Sequence, residues 1–518
     1  MGDSRGRKRM TFRYCVPALT AALATITATS ALAQDVKDTL RVAMYTQTNT
    51  LGHVYGPNYI WPHMYWWEGS YDSFVRVDDT GKVLPFAIES WENINPTTWR
   101  VTFRKDITFW NGRTNDGANI GKIFDFLATE PGKAAGVLRA AKIAGHKVIG
   151  PQTIELTTPE PDPIIIPKLA AFYVIDMQAF NDLGVTDFSV KPMASGPFRI
   201  VSWNNQEQNA TAFDKSWRPA KVKNLRILHV PEGAARLAAV LSEQVDVAYN
   251  MSPDDVPQIR AAGHTAAVES SPFVASLGMF TVDFANKWNG KVPFADKRVR
   301  QAANYALNKE AMVGQLLGGM AKPASQPAVP STFGYNPNVK PYAYDPERAK
   351  RLLAEAGYPN GFSVLMETSS VFGAAGDVFQ VIASDLGRVG IKMEVQVIPF
   401  AERSKKFFGN SWAGDITSFT SFFSPPQDGS IPFSVFGCNL PNTFTCIPEL
   451  NALVAAQAKE MDSDKRRAIL QELMKKSNEE ALALYMFEGF DITAVSKRVK
   501  GYKNWNKVIH YEAMSVDG

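Results

Sequence analysis

The 518-residue chain carries 55 Lys and Arg against 51 Asp and Glu, with 45% hydrophobic and 20% charged residues, ordinary values for a folded globular protein. Residues 1–33 hold five of the bases and one of the acids, so the remaining 485 residues carry 50 of each and a formal net charge of zero. That balance excludes a sequence-independent nucleic-acid binder, which needs a basic surplus or stripe, and the length allows two or three domains.

The chain opens with a basic stretch, Arg5, Arg7, Lys8, Arg9 and Arg13, followed by the small apolar run VPALTAALATITATSALA. Ala31-Leu32-Ala33 is an A-x-A cleavage motif, so a secretory signal peptide is expected to be cut between Ala33 and Gln34. A membrane anchor is the competing reading, but the Thr-laced run is short and weakly apolar for a span of roughly 20 residues. Cys15 follows Arg13 and Tyr14 and precedes the apolar run, the wrong context for a lipidated cysteine. The best later apolar run, IIIPKLAAFYVIDM, is cut by Pro167 and Lys168. The expected product is soluble and periplasmic, by either the Sec or the Tat route.

LRVAMY (Leu40–Tyr45) reads as a buried strand, and a loop rich in Gly, Asn, Pro and aromatics follows it. TWRVTFRKDITFW alternates apolar and polar residues through Val101, Phe103, Ile107 and Phe109, the pattern of a half-buried hairpin. FRIVSW predicts a further strand, and the polar stretch NNQEQNATAFDKSW its turn. YDPERAKRLLAEAGYP predicts a helix with Asp345 as N-cap, Pro346 in the first turn and Gly357 at its end. VFQVIASDLGRVGIKMEVQVIP reads as helix then strand, the order of a β-α-β layer. DKRRAILQELMKKSNEEALALYMF predicts a long amphipathic helix running into an apolar segment. The class is α/β with mixed sheets.

Cys438 and Cys446, in FGCNLPNTFTC, are the two cysteines beyond the cleavage motif. An oxidising compartment favours a local disulfide over a metal pair, since no histidine lies nearby.

No serine stands in G-x-S-x-G or S-x-x-K, and neither a P-loop nor G-x-G-x-x-G occurs. The six histidines never form H-E-x-x-H or H-x-H; His53 and His63 share the aromatic loop, where a solvated role is the stronger reading. No catalytic residue, cofactor or metal site is assigned. An extracytoplasmic hydrolase and a sensor or chaperone built on a binding fold are the competing functional classes.

LPFAIESWENINPTTWRVTFRKDITFWNGR, MASGPFRIVSWNNQEQNATAFDKSWR, VLSEQVDVAYNMSP, FADKRVRQAANYALNKEAMVGQLLGGMAKPASQPAVP and YDPERAKRLLAEAGYPNGF occur in that order. Together they resemble family 5, the dipeptide, oligopeptide and nickel group of solute-binding proteins serving ABC importers. The resemblance implies a two-lobed periplasmic binding protein fold (type II, cluster C-like) with an additional small domain and a hinge. Lobe I would comprise residues 34–75, 190–272 and 485–518, the additional domain 76–189, and lobe II 273–484. The crossings would fall near SLGMFTVDFAN and ALYMFEGF. The implied partners are a small ligand (peptide, sugar or opine-like) and ABC permease and ATPase subunits, with the receptor itself a monomer.

Ligand sites are concave and mostly apolar, with a few placed polar groups. Four segments offer that mixture: Tyr45, Gln47 and Asn49 with Trp61, Trp66 and Trp67; Asp283, Phe284 and Asn286; Phe419, Phe422 and Phe423; and Tyr485, Phe487 and Phe490. For any one aromatic, core packing is the stronger reading; as a set at lobe borders they favour a pocket. In the peptide-binding branch of the family an aspartate holds the ligand's α-ammonium. Laid on ITSFTSFFSPP, that pattern puts Phe422 or Phe423 where the acid would stand, so free short peptides are expected to bind poorly. No arginine matches around METSSVFG, and no histidine supports the nickel branch. Asp283 and Asp415 are the carboxylates expected to take the missing role if peptides do bind.

Overall fold

The computed structural model describes residues 38–46, 54–55, 65–133, 135, 137, 141–369, 375–409, 411–422, 427–434, 438, 445–505 and 507–517. Ala33, Gln34, Gln47, Asn49, His53, Trp61, His63 and Phe423 fall outside them.

One ten-stranded mixed sheet runs through the molecule. At one end Thr39–Met44 pairs in parallel with Asn224–His229 and Val247–Ala248, and Phe198–Trp203 and Glu207–Ala212 extend the edge as an antiparallel hairpin. At the other end Phe362–Thr368 lies parallel to both Ile391–Val397 and Ile416–Phe422. Between them run the two longest strands, Thr265–Met279 and Leu484–Val495, antiparallel to each other. The β-α-β order expected from VFQVIASDLGRVGIKMEVQVI is present as helix Ala375–Arg388 leading into Ile391–Val397.

The long pair changes register twice, chiefly between Ser270 and Val274 opposite Phe490–Glu488, and again by one residue at Ala275/Ser276. Thr265–Ser270 therefore pairs within the first half and Val274–Leu277 within the second. The main break precedes the Ser276–Asn286 segment expected to carry the first crossing, and falls within the Ala483–Phe490 segment expected to carry the second. Buried apolar residues divide accordingly. One large cluster gathers Leu40, Phe74, Phe103, Phe172 and Tyr511, and two others gather Leu277, Met366 and Ile382, and Val274, Leu470 and Tyr485. Phe490, beside the break, packs against clusters of both halves.

A four-stranded antiparallel sheet, in the order Ile88–Asn95, Thr98–Phe103, Thr153–Thr157 and Gly145–Val148, stands apart from the large one. Val101 and Phe103 are buried as the alternation requires, but the hairpin partner is the preceding strand, not the segment of Ile107 and Phe109. Those two side chains are buried from a loop, where apolar alternation counterfeits a strand. The helix at Pro346–Glu355 has Asp345 accepting from the Arg348 amide at 2.8 Å, and Gly357 takes the left-handed conformation at φ 91° beyond its end. Among the described residues no helix is long and apolar enough to cross a membrane.

Candidate functional site

In open α/β sheets ligands bind beyond the carboxyl ends of parallel strands. Here two such sets of ends face one junction. From the first half come the residues after Met44, His229 and Ala248, including Tyr45 and Tyr249. From the second come the ends at Thr368, Val397 and Phe422. Phe422 stands in register opposite Phe273, at the break that joins the halves.

The first half presents an aromatic and polar wall. Tyr65 meets Tyr45 edge-on at 6.4 Å and stacks on Tyr249 at 5.7 Å. Arg236 lies 5.9 Å from the Tyr45 ring and donates to the carbonyls of Tyr249 and Asn250, each at 2.8 Å, fixing the strand end. Glu269 and Asp491 are directly opposed across the long strand pair. Directly opposed residues share one face. Lys507 Nζ binds both Asp491 oxygens at 2.7 and 2.6 Å, and sits 5.6 Å from the Phe273 ring. Tyr502 Oη and Asn504 Nδ2 both donate to Glu269 Oε2 at 3.0 Å. Burial raises the Glu269 carboxyl above its ordinary range, against the hydrogen bonds from Tyr502 and Asn504 and with help from Asp491. Burial likewise holds the hydroxyls of Tyr45, Tyr65, Tyr249 and Tyr502 protonated.

Of the residues singled out in the sequence, Tyr45 belongs to this wall and Phe422 ends the strand facing it. Phe419 stands opposite Ser276, further along the same strand. Trp66 and Trp67 are each 1% exposed: the Trp66 indole donates to the Thr46 carbonyl at 3.0 Å, and Trp67 packs edge-on to Tyr173 at 5.8 Å. Both are core groups of the first half. Phe487 is 4% exposed, opposite Ala275, and Tyr485 is equally enclosed.

Phe284 and Asn286 follow Met279, whose partner Ile416 begins the strand that Phe422 ends. Six residue steps at about 3.3 Å each place that turn about 20 Å from the junction. There Phe284 packs edge-on to Phe280, and Asn286 turns the chain at φ 52°. Asp283 accepts from the Lys287 and Trp288 amides. Asp415 accepts from Lys287 Nζ, Trp288 Nε1 and the Leu365 amide. Both carboxylates are committed to this turn. A groove of about 530 Å³ lined by Lys287, Ser363, Lys392 and Glu394 opens on the same half and shares no residue with the wall.

Cys438 and Cys446 are joined as a disulfide. Among the described residues no group of three or more His, Cys, Asp and Glu is placed to hold a metal ion. Sequence reasoning passed over Tyr249, Glu269, Asp491, Tyr502, Asn504 and Lys507. The signal available was a single acid within each of two otherwise apolar strands, AAVESS and GFDITAV.

Comparison with known proteins places this architecture. The glutathione-binding protein GsiB of Salmonella paratyphi A is 27% identical over 327 residues, covering 60% of this chain and 60% of that protein. The alignment thus spans about 60% of the curated relative's length. DppA of Helicobacter pylori, solved with the peptide STSA, superimposes with a TM-score of 0.77 at 18% identity, over 94% of this chain and 100% of that one. NikA of Brucella suis, solved with Fe(III)-EDTA, gives 0.80 at 20% identity, over 92% and 100%. At those identities the likeness shows a shared fold, that of the two-lobed periplasmic binding proteins. The sequence model of the bacterial extracellular solute-binding proteins, family 5 middle, matches residues 82–436. That match takes in more than half of the chain, which belongs to the bacterial extracellular solute-binding proteins of family 5.

Proposed function

We propose that this protein is the periplasmic receptor of an ABC importer, capturing a peptide-like or other small organic solute between its lobes and delivering it to the permease and ATPase subunits. The observation that carries the reading is the junction itself. Two sets of strand ends face each other across the register break at Phe273 and Gly489, so a ligand touching both is held by the closure it favours. Glutathione, a peptide and a metal chelate, named with the relatives, are all small solutes bearing several polar groups. Lobe I then takes residues 34–75, 190–272 and 485–518, the additional domain 76–189 and lobe II 273–484. The protein acts as an exported monomer, cut after Ala33, and holds its ligand without transforming it.

Native mass spectrometry of protein purified from the periplasm tests the reading. A carried-over small molecule is expected, with the chain beginning at Gln34. Small-angle scattering should then give a smaller radius of gyration with that molecule than after its removal. An unchanged radius together with a chemically altered ligand would support a hydrolase instead.

A further inference from the structure

Glu269 uses only one of its oxygens. Tyr502 and Asn504 both donate to Oε2, and Oε1 has no partner among the described residues. Two further polar atoms beside it are also unanswered. Tyr249 is 3% exposed and its hydroxyl has no hydrogen-bond partner among the described residues. The groups acting electrostatically on that hydroxyl are Tyr502, Tyr511, Glu269 and Tyr65. Asn504 gives its amide nitrogen to Glu269 while its buried Oδ1 stays unpaired among the described residues. A buried polar atom without a partner is costly, and native folds retain few. The Tyr249 hydroxyl and Asn504 Oδ1 are two such atoms, and together with the open Oε1 of half-buried Glu269 they mark a polar group that arrives from outside.

Its chemistry follows from what remains to be satisfied. Glu269 Oε1 and Asn504 Oδ1 are acceptors, and the Tyr249 oxygen has lone pairs to offer. An ammonium supplies three N–H donors and no acceptor. The nearest cation, Lys507, is already turned onto both oxygens of Asp491. From this geometry we infer that Glu269, Tyr249 and Asn504 form a subsite for a cationic nitrogen of the ligand, an ammonium in the first instance. The inference rests on reading the junction as the ligand cleft. It also revises the expectation that a free amine enters unpaired. Asp283 and Asp415 are committed elsewhere, but Glu269 offers a carboxylate from lobe I.

The test titrates the mature protein by calorimetry with three probes: trialanine amide (ammonium, no carboxylate), N-acetyl-trialanine amide (neutral) and N-acetyl-trialanine (anionic). The ammonium probe should bind at least tenfold more tightly than the neutral one. Glu269→Gln should abolish that margin while leaving the neutral probe within about twofold. Tyr249→Phe, a milder change, should narrow the margin several-fold, and melting curves confirm that both variants fold. An ammonium probe with no advantage in the wild type, or one that keeps its advantage in Glu269→Gln, overturns the subsite. If no probe binds, native mass spectrometry decides. A carried-over ligand with a basic nitrogen, lost in Glu269→Gln, supports the subsite. One without such a nitrogen overturns the subsite and leaves the receptor reading standing. If no probe binds and no ligand is carried over, both the subsite and the receptor reading are overturned.

Discussion

A Cβ on Gly489 would lie 2.5 Å from the ring of Phe273. The two long strands therefore approach, at the register break, more closely than a side chain at 489 permits, which is a role reserved for glycine within a sheet. Gly489→Ala should displace the Phe273 ring and destabilise by about 1–3 kcal/mol, the usual cost of overpacking. The expected readout is a lower melting temperature, restored in part by adding Phe273→Ala. A Gly489→Ala protein that melts like the wild type would show that the ring yields freely and that this contact does not set the hinge.

A second contact joins the halves away from the break. The turn at Asp78–Lys82 is tied by Asp78 Oδ1, which accepts from the Thr80 and Lys82 amides at 2.9 Å and the Thr80 hydroxyl at 2.6 Å. At its tip Gly81 has φ 83°, and a Cβ there would meet the Ser331 carbonyl oxygen at 2.2 Å, while Gln427 Nε2 donates to the Asp78 carbonyl at 3.4 Å. Gly81→Ala combines left-handed strain of about 1–2 kcal/mol with that clash. Scattering of the ligand-free variant should give a larger radius of gyration than the wild type. Equal radii would mean that the turn does not restrain opening.

Buried charge ties together segments far apart in the chain. Arg218 Nε bonds Asp72 at 2.6 Å and its Nη1 lies 3.0 Å from Glu512, while Arg76 reaches Glu68 at 3.2 Å and Glu512 at 3.3 Å. Burial opposes the charge on Glu512, but Arg218 and then Arg76 outweigh it and hold its carboxyl well below the usual carboxylate range. A depressed carboxylate contributes stability that is complete above its unfolded pKa, about 4.3, and is lost as pH falls through the folded value. Glu512→Gln should therefore cost about 3 kcal/mol at pH 7, seen as a lower melting temperature, with the gap to wild type narrowing below about pH 4. A gap that is constant from pH 7 to pH 3 would reject the linkage.

That network also shows where the sequence stops being informative. The Asp345 cap, Pro346 and Gly357 act within one helix, so their spacing in the chain is enough to read them. The strand Thr39–Met44 and the order of Ala375–Arg388 and Ile391–Val397 are equally local. Asp72, Arg218 and Glu512 become partners only once three separate segments have folded together. Ile107 and Phe109 carry a strand's alternation from a loop, whereas the true hairpin partner, Ile88–Asn95, is largely exposed and shows little alternation. At the site, Tyr45 was legible as the end of a buried strand. Glu269 and Asp491 face each other only through a register that composition does not encode. The paired tryptophans show the converse: their size requires burial, but nothing in the sequence says whether core or ligand supplies it.

The Cys438–Cys446 bond closes a short loop, so its contribution should fall below the roughly 3 kcal/mol associated with a 15-residue loop. Thiol titration of the unfolded, unreduced mature protein should find no free thiol. A chain retaining its first 33 residues would show one, from Cys15. Two reactive thiols in the mature protein would reject the bond.

Lys309 is the clearest cost the fold carries away from the junction. It is 3% exposed, and among the described residues its ammonium has only neutral acceptors, the Ala324 carbonyl at 3.3 Å and Asn304 Oδ1 at 3.5 Å. Burial lowers its pKa from 10.5 to about 7. Between those values the unfolded chain binds a proton that the folded one releases, so stability rises with pH, by at most about 1.4 kcal/mol per unit for one proton. Below about pH 7 both states are protonated and the penalty of the buried charge is constant. Lys309→Met keeps the length and apolar stem of the side chain and removes the charge. It should melt higher than the wild type at pH 7, with the difference shrinking towards pH 10. Melting curves of the two proteins at pH 7, 8.5 and 10 measure this directly, because other titrating groups are common to both. A Lys309→Met protein less stable than wild type at pH 7 would mean that the bonds to Ala324 and Asn304 outweigh the cost of the charge.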